Sequence, residues 1–296
     1  MSGTATRGGR GMNFGVYIVR AHGRLALTDL AREVEHRGFE SLFVCEHTHI
    51  PAGTTLDYPA ARNSETELPE EYYGTLDPFV ALAAAAAVTS RLRVGTGVCL
   101  VPQHHPITLA KTVASLDQLS GGRVLLGVGA GWNQGEMRNH GVDPARRALA
   151  LDEGLAAMQA IWAQQEASYH GQLHSFDRII SLPKPVQAPH PPILVGGNGA
   201  AARARTVRLG DEWMPSDPRD NALLRKQIAD LRERAAAAGR PRPRVTLFAA
   251  RPDYDDAREQ AEAGVDRWVY WLPSADREVV MPRLDRYADL MGRLSR

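Results

Sequence analysis

Short apolar runs alternate with longer amphipathic stretches along almost the whole chain. The runs at 14–19, 41–45, 92–100, 124–128, 193–195, around Trp213, 245–249 and 268–271 predict eight strands. Several are apolar without interruption, as strands buried on both faces are. Between them, amphipathic or alanine-rich patterns predict helices over 27–37, 78–88, 107–119, 144–163, 200–209, 220–238, 255–263 and 277–294. Gly38 and the Gly121-Gly122 pair act as stop signals. Repeated βα alternation predicts a parallel sheet, and eight units predict its closure, so the fold class is α/β and the architecture a (β/α)8 TIM barrel. A doubly wound open sheet would carry a glycine fingerprint after the first strand, and residues 20–25 hold a single glycine.

Two segments break the rhythm. One is the long polar loop 48–75 after the second strand, which a barrel places at its C-terminal mouth. The other is the proline-containing insertion 168–192 before the fifth strand, with room for a short hairpin near 169–182. The domain reading is a disordered leader over 1–11 and one barrel domain over 12–296. The leader has no apolar core of a signal peptide, and the most apolar helix is too short to span a bilayer. With 35 basic against 34 acidic residues, the chain has no concentrated basic field for nucleic acid or a membrane surface. Cys45 and Cys99 lie in apolar runs and read as reduced, buried thiols. A cytoplasmic protein acting on a small molecule is expected, and apolar helix faces fit a homodimer.

Four places can carry chemistry. Glu46-His47-Thr48-His49 leaves the second strand at the mouth, where a histidine can give or take a proton and Glu46 can orient it. Gly95-Thr96-Gly97-Val98 lies within the third strand and marks a bulge, a close ligand approach or tight packing. Gly127-Val128-Gly129-Ala130-Gly131-Trp132-Asn133 clears space for a flat ring, with Asn133 offering donor and acceptor atoms. Gly196-Gly197-Asn198-Gly199 opens the helix at Ala200, a setting that suits a phosphate, with Arg203 and Arg205 one turn on.

With these features in this order, the chain resembles the luciferase-like monooxygenase superfamily, and within it the branch of coenzyme F-420-dependent oxidoreductases. The likeness runs from about Asn13 to Ser216. It rests on Gly38-Phe39-Glu40-Ser41-Leu42-Phe43-Val44-Cys45-Glu46-His47, on Leu116-Asp117-Gln118-Leu119-Ser120-Gly121-Gly122-Arg123-Val124 through Asn133, and on Pro183-Lys184-Pro185-Val186-Gln187 running to Gly196-Gly197. The resemblance implies a barrel with an insertion before the fifth strand and His47 as the active-site histidine. It implies a cis peptide at Gly97–Val98 behind the cofactor ring, Gly129, Gly131 and Asn133 along ring and side chain, and Gly196, Gly197 and Asn198 at the phosphate. It also implies hydride transfer to or from F-420. Trp132 departs from the pattern, because the sugar-phosphate dehydrogenases of the branch carry a catalytic glutamate there.

Three other readings share these residues. Flavin mononucleotide in place of F-420 makes the protein an oxygen-activating monooxygenase. The His47-x-His49 pair can ligate zinc in a metal-dependent hydrolase, which needs further ligands at later strand ends, and the strand ending Trp268 to Pro273 offers no Asp or His in place. A deazaflavin carrier would have the same pocket and no substrate cavity. The substrate has no motif.

Overall fold

The computed structural model describes residues 12–19, 25–54 and 68–295; the leader expected over 1–11 and the middle of the 48–75 loop lie outside the described residues. The chain begins with β1 (Asn13–Ile18), α1 (Leu27–His36), β2 (Ser41–Val44), α2 (Pro78–Ala87), β3 (Arg93–Thr96), β4 (Cys99–Leu100), α3 (Pro106–Ser120) and β5 (Val124–Gly129). It continues with α4 (Gln134–Asn139), α5 (Arg147–Ala163), β6 (Ala167–His170), β7 (Ser175–Ile179), β8 (Ile193–Gly196) and α6 (Ala200–Leu209). The last elements are β9 (Glu212–Met214), α7 (Asn221–Ala237), β10 (Arg244–Ala250), α8 (Tyr254–Ala263), β11 (Arg267–Trp271) and α9 (Arg277–Leu294).

The strands pair in the order β3-β2-β1-β11-β10-β9-β8-β5-β4, and β3 also pairs with β5, which closes the ring. Every ladder in the ring is parallel. β3 and β4 share one position in the wall, so the closed ring is the expected (β/α)8 barrel. The third strand is not continuous, as the apolar run suggested. Its ladder stops at Thr96 and resumes at Cys99, with the Gly97–Val98 peptide bond cis between them. The insertion contains the antiparallel hairpin β6–β7 outside the barrel. Glu153 of α5 holds its turn by accepting from the backbone N–H groups of Gln172, Leu173 and His174. Among the described residues, no helix is long and apolar enough to cross a membrane.

Alternate side chains of each strand turn into the lumen, and the others feed the core between barrel and helices. Leu42, Val44, Leu126, Val195, Trp213 and Trp268 belong to that outer core. The inner set is layered. Phe43, Leu125, Leu194, Met214 and Val269 form an apolar layer, against which Tyr17, Val98 and Phe248 pack. Beneath it, at the N-terminal end, lies a charged layer. The fully buried Arg267 donates to Glu212 at 2.5 Å, to Thr246 at 2.8 Å, and to Glu40 at 2.9 and 3.0 Å. Burial works against its charge, but Glu212 and Glu40 outweigh that and hold the guanidinium proton more firmly than in water.

Removing one member of a buried ion cluster leaves the others without a counter-charge. Arg267→Met is expected to lower the free energy of unfolding by about 3–5 kcal/mol, read from urea denaturation at neutral pH. A loss below about 1 kcal/mol would show that Glu212 and Glu40 find other partners.

Candidate active site

Inward positions on three neighbouring strands are glycines: Gly95 on β3, Gly127 and Gly129 on β5, and Gly196 on β8. Gly97 follows β3. Facing them across the lumen are Tyr17, Phe43 and Phe248, from β1, β2 and β10. The Tyr17 and Phe248 rings lie 4.2 Å apart, and Phe43 meets Phe248 edge to face at 6.3 Å. A Cβ added at Gly95 would come within 2.5 Å of the Phe43 ring, and one at Gly97 within 2.7 Å of the Phe248 ring. Tight packing therefore accounts for the glycines of the third strand. Val98 lies against both Gly129 and Gly196, where an added Cβ would meet its methyls at 2.7 and 3.1 Å. One side of the mouth is thus a glycine backbone wall already packed by Phe43, Phe248 and the Val98 methyls.

On the other side stands His47, three residues beyond β2 and buried. Its Nδ1 lies 2.8 Å from Oε2 of the fully buried Glu136. The Thr48 backbone N–H donates to Glu136 Oε1 at 2.9 Å. The Trp132 indole N–H donates to His47 Nε2 at 3.3 Å. An indole nitrogen can only donate, so Nε2 accepts and Nδ1 carries the proton that Glu136 receives. The neighbours choose the tautomer. Burial alone would raise the Glu136 pKa, but the hydrogen bond from His47 and the Thr48 N–H outweigh it, and the net direction is downward. The Trp132 and Tyr72 rings flank the imidazole at 5.5 and 5.7 Å. Thr75 Oγ1 donates to the His47 carbonyl at 2.7 Å, tying the far end of the long loop to the same residue.

Glu136 owes its place to Asn133, whose Oδ1 caps α4 by accepting from Glu136 N at 3.1 Å. Asn133 Nδ2 is buried and, among the described residues, has no partner. The expected orientation of His47 by Glu46 is corrected by the geometry. Successive side chains leaving a strand point to opposite faces, so Glu46 and His47 diverge. Glu46 accepts from Leu100 N at 2.5 Å and pairs with His104 Nε2 at 2.7 Å, behind the β3–β4 break. It positions that segment rather than the imidazole. His49 also diverges from His47: its Nδ1 meets Thr48 Oγ1 at 2.9 Å and its Nε2 the Asn139 amide at 2.8 Å. The His47-x-His49 ligand pair of the hydrolase reading is not formed.

The Gly196–Gly199 turn lies where expected, between β8 and α6. Gly197 has φ +120°, a conformation that suits glycine, and residues 197–200 are exposed. Among the described residues, α6 has no side-chain cap and no acidic group in its first turn. Asn198 is held through Oδ1 by Ser216 N at 2.9 Å. Arg203 reaches the Asn198 carbonyl at 3.2 Å while pairing with Asp230 at 2.6 Å. Arg205 turns away to Asp152 on α5 and adds no charge to the turn, which corrects that expectation. Both cysteines are free thiols. Cys45 donates to the Gly97 carbonyl at 3.2 Å, and burial pushes its thiol up to about 12.

The sequence reading missed Glu136, Tyr72 and the contact of Trp132 with His47. One signal for Glu136 was present: an Asn with a Glu three residues on, at a helix start.

Comparison with known proteins gives four findings. The family model of the luciferase-like monooxygenases matches residues 12–295. An uncharacterized protein of Mycobacterium tuberculosis is 39% identical over 280 residues, covering 94% of this chain and 98% of its own. The FMNH(2)-dependent dimethylsulfone monooxygenase of Pseudomonas putida is 35% identical over 159 residues, 53% of this chain and 43% of its own. Among solved structures, the coenzyme F-420-dependent tetrahydromethanopterin reductase of Methanopyrus kandleri superposes with a TM-score of 0.75 at 15% identity, covering 97% of this chain and 100% of that one. At that identity the likeness is one of fold.

The Glu46–His104 pair makes a pH prediction. Burial opposes the His104 charge, but the hydrogen bond and charge of Glu46 outweigh it and raise the pKa above the ordinary histidine value. A raised histidine stabilises fully below its unfolded pKa and loses that contribution as pH rises through the folded value. His104→Gln is therefore expected to lower the urea midpoint more at about pH 5.5 than at about pH 9. Equal losses at both would mean that the charge contributes nothing.

Proposed function

Because the chain belongs to the luciferase-like monooxygenase family, we propose that it is a coenzyme F-420-dependent oxidoreductase, transferring a hydride between the deazaflavin C5 carbon and a small organic substrate. The observation that carries this reading is the pairing of a backbone wall with a histidine whose Nε2 lone pair is fixed by its neighbours. Three features fit the cofactor. The wall at Gly97, Val98, Gly129 and Gly131, where Val98 alone carries a side chain, can back a flat ring. The buried Asn133 Nδ2 has no partner among the described residues and can donate to a polar edge. The exposed start of α6, with Gly196, Gly197 and Asn198 before it, offers backbone N–H groups to a phosphate.

The cofactor, when bound, supplies the hydride chemistry. The rest falls to the chain. In the oxidative direction His47 Nε2 receives the proton of a substrate hydroxyl, and in the reductive direction it returns one. Glu136 stabilises the positive ring that forms between these events, as a buried carboxylate partner does. The Trp132 N–H shows where the lone pair points, and a substrate oxygen would take its place. Tyr72 and Trp132 shield the imidazole from water. A second reading, with reduced flavin mononucleotide and oxygen, is favoured by the likeness to the dimethylsulfone monooxygenase.

Titration of the purified protein with both cofactors tests the choice. F-420 is expected to bind at micromolar affinity or tighter and flavin mononucleotide at least tenfold weaker; equal affinities, or flavin retained through purification, would move the protein to the second reading. Gly197→Asp sets a carboxylate against the anion, and its Cβ would lie 3.2 Å from Ala202. It is expected to weaken cofactor binding at least tenfold, roughly 1.4 kcal/mol. Unchanged binding in a folded variant would place the phosphate elsewhere.

His47→Ala is expected to lower turnover by roughly 10²–10⁴-fold. Cofactor affinity should change much less, because the ring and phosphate contacts lie on other strands. A rate near that of the unaltered protein would remove His47 from the chemistry.

A further inference from the structure

We propose that His49, Glu136 and His140 form a divalent-cation site of the zinc class at the rim of the mouth, and that an ion there acts on His47 through their shared carboxylate. One nitrogen from each histidine and one oxygen of Glu136 lie within 4.8 Å of one another. His140 is the C-cap residue of α4, four positions after Glu136, so both project from one side of that short helix. His49 comes from the segment after β2. The two imidazoles converge on a single point, now held by Thr48 Oγ1, which lies 2.9 Å from His49 Nδ1 and 2.6 Å from His140 Nε2. Glu136 Oε1 borders the same point, 3.4 Å from that hydroxyl.

The donor set defines the ligand. Two imidazoles and a carboxylate with a fourth position open to water are a set zinc accepts, and imidazole disfavours calcium and magnesium. Zinc bonds of about 2.0–2.2 Å would draw the three ligand atoms together by roughly 1 Å. That movement is available, because His140 is exposed and His49 half-buried. Glu136 is buried, and the Asn139 amide steadies His49 from the far nitrogen.

Glu136 also sets the consequence. Its Oε2 holds His47 Nδ1 at 2.8 Å, while its Oε1 faces the cation site. An ion on Oε1 places two positive charges one carboxylate away from His47. It draws on the negative charge that steadies the imidazole in its acid–base role, so occupation inhibits. The inhibition rests on the proposed role of His47; the binding does not.

The experiment uses chelator-treated protein without cofactor and cobalt(II) as the spectroscopic probe, with zinc as competitor. Expected are one cobalt per chain at micromolar affinity, a tetrahedral visible spectrum and displacement by zinc. His49→Ala and His140→Ala are each expected to weaken binding at least tenfold, while His174→Ala leaves it unchanged. Binding no tighter than millimolar, or binding that survives both variants, overturns the site. The coupling is read separately, from the ring 15N resonances of His47. They are expected to move on adding zinc to the unaltered protein and to stay in place in His140→Ala. Bound zinc with unmoved His47 resonances overturns the coupling, and neither result depends on which cofactor the protein takes.

Discussion

A guanidinium sealed inside the barrel fixes where everything above it must stand. Arg267 is buried without access to water, and it is tolerable there only because Glu212, Thr246 and Glu40 reach it from β9, β10 and the approach to β2. Those groups meet because the ladders set Thr246 beside Arg267, and Val245 and Arg244 beside Trp213 and Glu212. A slip of one residue in β11 would turn Arg267 out among the helices and bring Trp268 into the lumen. The cluster thus selects one register, and that register places Phe43 and Phe248 beneath the glycines and His47 at the mouth.

Above this floor the two sides of the mouth are built by opposite means. One side is made by omission: inward glycines on β3, β5 and β8, packed by the Phe43 and Phe248 rings, the Val98 and Met214 side chains and backbone carbonyls. The other is made by constraint, with His47 held through both ring nitrogens and Glu136 held in turn by a cap, a backbone N–H and the imidazole. In that setting His47 has one tautomer and one direction in which to accept a proton.

Much of this was legible in the sequence because parallel strands buried on both faces read as apolar runs, and glycines stop helices where they are needed. The break in the third strand was marked by Gly95-Thr96-Gly97, although the apolar residues on either side read as one continuous strand. Glu136 was not legible as the partner of His47, because 89 positions separate them and only the closed barrel brings them together. Glu46 misled for the converse reason: neighbours on a strand are close in sequence and point apart in space. Arg205 sits one turn from the glycine turn, yet on a helix whose outer face belongs to Asp152.

The glycine wall has a further consequence for how such a molecule can diverge. Even a methyl group at Gly95, Gly97, Gly127 or Gly129 would collide with a ring, a side chain or a carbonyl already in place. Across the mouth, the loop from Glu70 to Leu76 and the segment from Pro273 to Asp276 carry half-exposed or exposed side chains that can grow or shrink into solvent. Heritable change is therefore channelled to one rim. A lineage can explore new substrates there by single steps, while the opposite rim stays as it was inherited.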